Sequence, residues 1–298
     1  MNKIAITGAT GMIGASLVRC AIEKGIEVVC IARGDSERLG NIPQSDLVRI
    51  VHCDISEYDT LDVQENCDVF YHFAWANTYG SSRDDVNAQT DNIRYTLDAV
   101  RLSTRMGCKK FVGAGSQAEY GITDKPLGVE TQANPQSAYG MAKYAAGKLS
   151  GVLCAQLGLQ FNWVRILSVF GPLDSRRTLV MYAMGELLAG RSPELTKCEQ
   201  IWDYLYCDDA ARAFIAIGKN GASGKFYPLG SGDCKRLSEY VEIIKSTCNP
   251  AVKLRFGQKE YFPYQPMHLY ADISELTADT GWKPEVSFAA GINRLINV

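Results

Sequence analysis

Short runs rich in β-branched residues alternate with segments of helical periodicity over the first 167 residues of the chain. The helical segments are 13–24, 86–106 and 138–157, and the strand-like runs are 4–7, 28–32, 47–51, 69–74, 110–114 and 161–167. Strands that alternate with helices pair in parallel, and the helices then cover both faces of the sheet. The sequence therefore predicts an α/β fold with a doubly wound parallel sheet.

The alternation loosens after residue 170 into mixed helix, loop and short strand. A stretch rich in proline and aromatic residues, 260–267, lies near the end. A chain of 298 residues is long enough for a large domain and a smaller lobe. We predict a larger domain over residues 1–170, with return segments near 207–232, and a smaller lobe over 171–298.

Composition argues against several classes of partner. The formal net charge of −2 provides no broad positive field for a nucleic acid polymer or an anionic membrane surface. The ten cysteines are scattered without a CxxC pair or a Cys/His cluster, so we expect free thiols in a reducing compartment and no metal site. A strand-like run begins at Lys3, and no apolar run is long enough to span a bilayer. We expect no signal peptide and a cytoplasmic location.

A glycine-rich segment, Thr7-Gly8-Ala9-Thr10-Gly11-Met12-Ile13-Gly14, follows the first strand-like run and opens the first helix. In this context a glycine can make the tight turn, a second lets the backbone approach a pyrophosphate, and a third allows close helix packing, while the helix N-terminus supplies amide donors. Candidate cofactor-binding residues here are Gly8, Thr10, Gly11, Met12 and Ile13. The alternative is an ordinary strand-to-helix turn. The GxxGxxG spacing is typical of short-chain dehydrogenases/reductases.

The end of the second run indicates which dinucleotide binds. NAD sites usually place an acid there for the ribose 2′-hydroxyl, but this run ends in Arg33, with Ser36 and Arg38 nearby. A guanidinium can hold a 2′-phosphate, so NADP is favoured over NAD. Arg33 as a solvated loop charge is the alternative. Asp54 and Ile55 follow the third run, where Asp54 either meets the adenine amino group or caps the next helix.

Tyr139 and Lys143 stand four residues apart and share one helix face. A phenol ordinarily titrates near ~10, and a neighbouring ammonium stabilises the phenolate and brings proton transfer towards neutral pH. Alone, the pair is also what two surface residues of a helix look like. Ser116, at the end of the fifth run, adds a hydroxyl that can hold a carbonyl oxygen. These three residues are the candidate catalytic group.

These motifs, in this order, resemble the extended short-chain dehydrogenase/reductase family, also called the NAD-dependent epimerase/dehydratase family. The resemblance continues to the end of the chain, through segments 165–172, 202–209, 226–230, 270–276 and 280–284. It implies a Rossmann-type domain that binds NAD(P), with Ala74 among the cofactor contacts, and a C-terminal lobe that binds a nucleotide-activated sugar. It also implies a homodimer, built on the helices 86–106 and 138–157.

The resemblance narrows the reaction. Family dehydratases carry an acid pair directly after the residue that matches Ser116, but here Gln117 and Ala118 stand there, and Glu119 should point differently. Epimerase-reductases need a Cys and a His. Two of the three histidines, His52 and His72, are interpreted as packing residues, and only His268 is unplaced. A ketone reductase or a 4-epimerase remains.

The predicted cofactor favours the reductase, because 4-epimerases of this family usually retain NAD. Ser168 stands where many epimerases carry Asn, and Trp202 where many members carry Arg. The pattern most resembles 4-reductases of nucleotide-linked 4-keto-6-deoxyhexoses, in deoxysugar biosynthesis. The alternatives are an NAD-dependent nucleotide-sugar 4-epimerase and a non-catalytic NAD(P)-binding sensor, against which the intact catalytic residues argue.

Substrate contacts are expected on both sides of the cleft. Aromatic rings at Trp75 and around Tyr264 can stack on sugar or base, although packing is the simpler interpretation. The candidate substrate-binding residues are Trp75, Ser116, Gln117, Tyr139 and Ser168.

Overall fold

The computed structural model describes residues 1–78, 80–262 and 265–297. Its strands, in chain order, are β1 (Lys3–Thr7), β2 (Glu27–Ala32), β3 (Val48–His52), β4 (Val69–His72), β5 (Lys110–Ser116), β6 (Gln160–Ile166), β7 (Ser168–Phe170), β8 (Ile201–Tyr206), β9 (Phe226–Leu229), β10 (Cys234–Arg236) and β11 (His268–Leu269). Its α-helices are α1 (Met12–Glu23), α2 (Val86–Arg105), α3 (Ala138–Leu157), α4 (Leu179–Leu188), α5 (Cys207–Asn220), α6 (Leu237–Cys248), α7 (Ser274–Thr280) and α8 (Phe288–Ile296).

The larger sheet has seven strands in the order β3-β2-β1-β4-β5-β6-β9, and every neighbouring pair is parallel. The predicted doubly wound α/β fold is thereby confirmed. Most predicted strand boundaries are correct to about a residue, but the run 69–74 ends as a strand at His72. Its partner β1 ends opposite, at Thr7, where the glycine-rich turn begins.

Side chains alternate between the two faces of this sheet, as the pleat requires. On one face Ile4, Ile6 and Val28 are buried together with residues of α1 and α5. On the other face Ala5 and Val29 are buried in a cluster with residues of α2 and α3. The core thus consists of two apolar layers, and the strand ends remain at the edges for polar side chains.

The order of the strands reverses between β1 and β4. In open parallel sheets the crevice for ligands lies outside the carboxyl ends of the strands at such a switch point. In this chain those strand ends are followed by the glycine-rich turn after β1 and by residues 73–77 after β4. The topology therefore places both segments at one site.

A smaller sheet lies in the C-terminal part. It contains β10, β8 and β11, and β7 pairs with the other part of β8. The strand β9 pairs with β6 in the larger sheet. The division into domains at residue 170 stays a prediction.

All ten cysteines are free thiols, and only Cys234 is exposed. Burial raises the pKa of the Cys30 thiol to about 12 and that of the Cys207 thiol to about 11. Among the described residues, no helix combines the length and apolar character needed to cross a membrane.

A buried ion pair joins β5 to β6 at the carboxyl end of the sheet. Arg165 donates from Nε to Oε2 of Glu119 at 2.8 Å, and both side chains are at most 5% exposed. The other carboxylate oxygen accepts from Trp163 Nε1 at 2.9 Å and from the backbone N–H of Ser116 at 2.8 Å. The carboxylate therefore holds the end of β5 against β6.

Glu119→Gln should destabilise the fold strongly. The amide can still accept hydrogen bonds, but the Arg165 charge then lies buried without a counter-charge. We expect the free energy of unfolding to fall by about 3–5 kcal/mol. Urea denaturation followed by circular dichroism measures this loss.

Glu186→Gln is the matched control, because Glu186 forms a doubly hydrogen-bonded pair with the exposed Arg191. Water solvates both groups there, so we expect little or no change in stability. Equal, small effects of the two substitutions would contradict the role given to the buried pair.

Candidate active site

One large cleft of about 1180 Å³ runs along the carboxyl ends of the strands. It begins at the glycine-rich turn, passes the segment after β2, and reaches Tyr139 and Lys143 on α3. The residues predicted from the sequence that line it are Gly8, Thr10, Gly11, Met12, Ile13, Arg33, Asp54, Ile55, Ala74, Trp75, Ser116, Gln117, Tyr139 and Lys143. The structure therefore brings these fourteen candidates together, whereas Ser168 is not part of the lining.

The glycine-rich turn has the geometry that a dinucleotide pyrophosphate requires. Gly8 has φ of +74°, and a Cβ there would lie 2.7 Å from the backbone nitrogen of Ala74. A Cβ on Gly14 would lie 2.3 Å from the carbonyl oxygen of Gly8. At Gly11 the nearest atom to such a Cβ is 3.5 Å away, so the backbone is open to the cleft. Two glycines thus close the turn, and the third leaves room for a ligand.

The end of the cleft beyond β2 carries mixed charge. Its lining includes Arg33, Asp35, Ser36, Glu37 and Arg38. None of the ion pairs found within the described ranges involves either arginine, so both guanidinium groups are available to an anion. Asp35 and Glu37 lie on the same segment. The prediction of a phosphate site was based on the arginines and did not include these two carboxylates.

Asp54 caps the short 3-10 turn that follows β3. Its Oδ1 accepts from the backbone N–H of Ser56 at 3.0 Å and from the Ser56 hydroxyl at 2.7 Å. These hydrogen bonds, and then the charge of Arg33, lower the pKa of Asp54. The capping alternative is what the structure shows, while the residue also borders the cleft.

Lys143 is almost fully buried at the floor of the cleft. Its Nζ donates to the carbonyl oxygen of Ala114 at 2.7 Å and lies 3.7 Å from the ring centroid of Trp75. Burial lowers the pKa of Lys143 to about 7, against an opposing effect of the Glu119 charge. This ammonium is therefore close to its titration range at neutral pH.

Trp75 packs beside both catalytic candidates on α3. Its indole ring meets the ring of Tyr139 edge to face, with centroids 6.0 Å apart. Its Nε1 donates to Oε1 of Gln89 at 2.9 Å. Trp75 therefore packs against its neighbours, as the packing interpretation expects. It also borders the cleft, and stacking on a ligand stays a prediction. Tyr264, the other aromatic candidate, lies outside the described residues.

Ser116 ends β5 and begins a 3-10 turn, Gln117–Glu119. Its Oγ accepts from the backbone N–H of Ala118 at 3.2 Å. Within the described part of the chain its hydroxyl proton has no acceptor, so it can be donated to a ligand oxygen. Gln117 borders the cleft, whereas Glu119 turns inward to Arg165, as its place in the sequence predicted.

Ser168 lies outside the cleft lining, although Leu167 and Val169 on either side belong to it. Its Oγ accepts from Nε1 of Trp202 at 2.7 Å. Its role as a substrate contact stays a prediction. The two positions that depart from the usual family pattern thus contact each other.

The packing interpretation holds for His72 but is wrong for His52, whose side chain is exposed at the end of β3. His72 is buried, its Nδ1 lies 2.8 Å from the hydroxyl of Thr7, and burial lowers its pKa to about 3. It is therefore neutral at working pH. His268 lies in the smaller sheet, in β11, where it pairs with Ile201.

Four residues that line the cleft or hold its lining in place were not predicted from the sequence. Asn41 donates to the carbonyl oxygen of Thr10 at 3.0 Å, and Gln89 holds Trp75. Asp174 lines the cleft, and burial raises its pKa. Arg83 places its Cζ 4.3 Å from the ring centroid of Tyr139. Of the four, only Gln89 could have been found from the sequence, because it places an amide on the core-facing side of a helix.

Comparison with known proteins places the chain in a family. The model of the NAD dependent epimerase/dehydratase family matches residues 4–230. The CDP-abequose synthase of Salmonella muenchen is 23% identical over 100% of this chain and 98% of its own length. The dTDP-4-dehydro-6-deoxyglucose reductase of Escherichia coli is 21% identical over 99% of this chain and 96% of its own.

A solved structure shares the fold over nearly the whole chain. The UDP-glucuronic acid 4-epimerase from Bacillus cereus, solved in complex with UDP-glucuronic acid and NAD, superposes with a TM-score of 0.85. It is 21% identical and covers 99% of this chain and 98% of its own. The chain therefore belongs to the NAD-dependent epimerase/dehydratase family, the extended short-chain dehydrogenases/reductases, whose members are NAD(P)-dependent enzymes.

Proposed function

We propose that this enzyme reduces a nucleotide-linked 4-keto-6-deoxyhexose at C4 with NADPH, in the biosynthesis of a deoxysugar. The observation that carries the proposal is the set of groups at the end of the cleft where Tyr139 and Lys143 lie. Ser116, Tyr139 and Lys143 meet there, while Glu119 is turned away into an ion pair with Arg165. Reduction of a ketone needs one group that donates a proton and one that holds the oxygen. Elimination of water needs an additional acid and base.

The residues act on the sugar oxygen as follows. A nicotinamide dinucleotide, when bound, supplies the hydride. Tyr139 gives its phenolic proton to the C4 oxygen, and Ser116 donates a hydrogen bond to the same atom as negative charge develops. Lys143 holds positive charge beside the phenol and would bind the ribose of the nicotinamide. The glycine-rich turn and the first turn of α1 hold the pyrophosphate.

The cofactor preference rests on Arg33 and Arg38. Both border the cleft beyond β2 without an ion-pair partner among the described residues, which suits a ribose 2′-phosphate. Asp35 and Glu37 on the same segment favour the alternative, an NAD-dependent 4-epimerase, because a carboxylate accepts from an unphosphorylated ribose. Protein purified with tightly bound NAD would support the epimerase, and exchangeable NADP supports the reductase.

Tyr139→Phe should lower NADPH-dependent turnover by about 10²–10⁴-fold, because the phenolic proton is lost. Cofactor binding should change little, since the ring and Lys143 remain. The measurement is NADPH oxidation with CDP-, dTDP-, GDP- and UDP-linked 4-keto-6-deoxyhexoses, together with NADPH binding by fluorescence.

Tyr144→Phe is the matched control on the same helix, since Tyr144 does not border this cleft. It should keep wild-type turnover. Near-normal activity of Tyr139→Phe, or no NADPH oxidation by wild type with any sugar of the panel, would refute the proposed function.

Arg33→Ala should weaken NADPH binding by about ten- to hundred-fold and leave NADH binding nearly unchanged. The lost interaction is a charge-assisted hydrogen bond to the 2′-phosphate, which NADH lacks. Isothermal titration with each cofactor measures the two constants. Arg49→Ala is the control, because Arg49 on β3 pairs with Glu65 outside the cleft. Equal losses for both cofactors would reject the 2′-phosphate role.

The helices α2 and α3 support a homodimer. Met141, Leu149 and Val152 on α3 are about half exposed, and Val86 at the start of α2 is 67% exposed. An exposed apolar stripe at helical spacing suits burial against a second copy.

Light scattering should give twice the 32.8 kDa of one chain, and Val152→Asp should shift the mass towards a monomer. Leu188→Asp, at an exposed position of α4, should not. A monomeric wild type would contradict this expectation.

A further inference from the structure

A second cation besides Lys143 lies against Tyr139. The guanidinium carbon of Arg83 is 4.3 Å from the centroid of the phenol ring. This distance is within the range of a cation–π contact. Arg83 also borders the cleft, so the guanidinium stands where the proposed reaction takes place.

The segment that carries Arg83 is attached to both neighbouring helices. Arg83 lies in the 3-10 turn Gly80–Asp84. In this turn the Asp84 carboxylate accepts from the backbone N–H of Ala138, next to Tyr139, at 3.2 Å. The carbonyl oxygen of Ser82 accepts from Nε2 of the buried Gln89 on α2 at 3.2 Å. The residues on both sides of Arg83 are therefore fixed to α2 and α3, which places the start of its side chain beside Tyr139.

Lys143 is the more distant and the less permanent of the two charges. Its Nζ lies 6.0 Å from the ring centroid of Tyr139, on the side where Trp75 and the Ala114 carbonyl enclose it. Burial lowers the pKa of Lys143 to about 7, so a substantial fraction is neutral at physiological pH. An arginine side chain, in contrast, stays protonated throughout the working range. None of the ion pairs in the described ranges includes Arg83.

We propose that Arg83 is a positioning residue that provides the permanent positive charge beside the Tyr139 phenol and stabilises its phenolate. The proposal rests on the proposed function, in which the Tyr139 O–H bond breaks and an O–H bond forms at the sugar C4 oxygen. The hydride comes from the reduced nicotinamide, and the phenolate left behind carries the negative charge. A guanidinium on the ring lowers the free energy of that charged form in a partly desolvated cleft.

Other charged or titratable groups near Tyr139 act on the same equilibrium. The described groups are Arg83 and Asp84 before α2, Lys143 on α3, His72 on β4, Glu119 after β5, and Asp174 in the cleft lining. His72 is neutral, and Glu119 is compensated by Arg165. Substitution of Arg83 therefore removes the nearer of the two described cations beside the ring and leaves the other charges in place.

The direct test is the titration of the Tyr139 phenol. Protein labelled with ¹³C at tyrosine Cζ is titrated by NMR, and the Tyr139 signal is assigned by its loss in Tyr139→Phe. Arg83→Met should lower the acid dissociation constant of this phenol about ten-fold, so the pKa of Tyr139 should rise. Arg83→Lys retains a charge and should keep most of the wild-type value.

Arg294→Met is the control, because Arg294 lies 5.4 Å from the ring of Tyr206, which does not border the cleft. It should leave the Tyr139 titration unchanged. An unchanged Tyr139 titration in folded Arg83→Met, or in Arg83→Gln if the first variant does not fold, would overturn the proposal. Normal turnover by Tyr139→Phe would instead refute the proposed function, whatever the titration shows.

Discussion

The Glu119 carboxylate is the interaction on which the geometry of the catalytic end depends. It accepts from the backbone of Ser116 at the end of β5 and from Trp163 and Arg165 on β6. A buried carboxylate depends on such partners for its stability, so these hydrogen bonds tie the end of β5 to β6. The Ser116 hydroxyl is thereby fixed in position before any substrate binds, which lowers the cost of orienting the sugar oxygen.

The same charge also acts on Lys143, one of the residues in the proposed proton transfer. Burial disfavours the ammonium of Lys143, and Glu119 partly offsets this effect, so the pKa of Lys143 falls to about 7 and not further. A charge poised in this range can respond to a bound cofactor or sugar. A fixed cation at Arg83 and a labile one at Lys143 give Tyr139 a positive environment that does not depend on a single protonation state.

Local signals made much of this structure predictable. The helix Ala138–Leu157 begins and ends at the predicted residues, because Ser137 caps its first turn and Gly158 adopts φ of +71° at its end. The glycine-rich turn and the order of strand and helix placed the cleft, since parallel strands bring their carboxyl ends to one edge. These features depend on residues a few positions apart.

The contacts that the sequence did not reveal join distant parts of the chain. Trp75 lies on the ammonium of Lys143, and Arg83 lies on the ring of Tyr139, although each pair is separated by more than fifty residues. An aromatic residue after a strand, or an arginine in a loop, has many possible partners in a fold of this size. Only the packing of α2 and α3 against one face of the sheet selects among them.

Ser168 and Trp202 form a hydrogen-bonded pair in the smaller sheet. Both residues differ from the usual pattern of the family, and treated separately each weakens the comparison with epimerases. In the structure the indole N–H of Trp202 donates to the Ser168 hydroxyl, which joins β7 to β8 in the smaller sheet. The two departures therefore form one local arrangement. A substitution at either residue therefore removes the hydrogen bond of both, so the proposed substrate role of Ser168 has to be tested on the pair, apart from the proposed roles of Ser116, Tyr139 and Lys143.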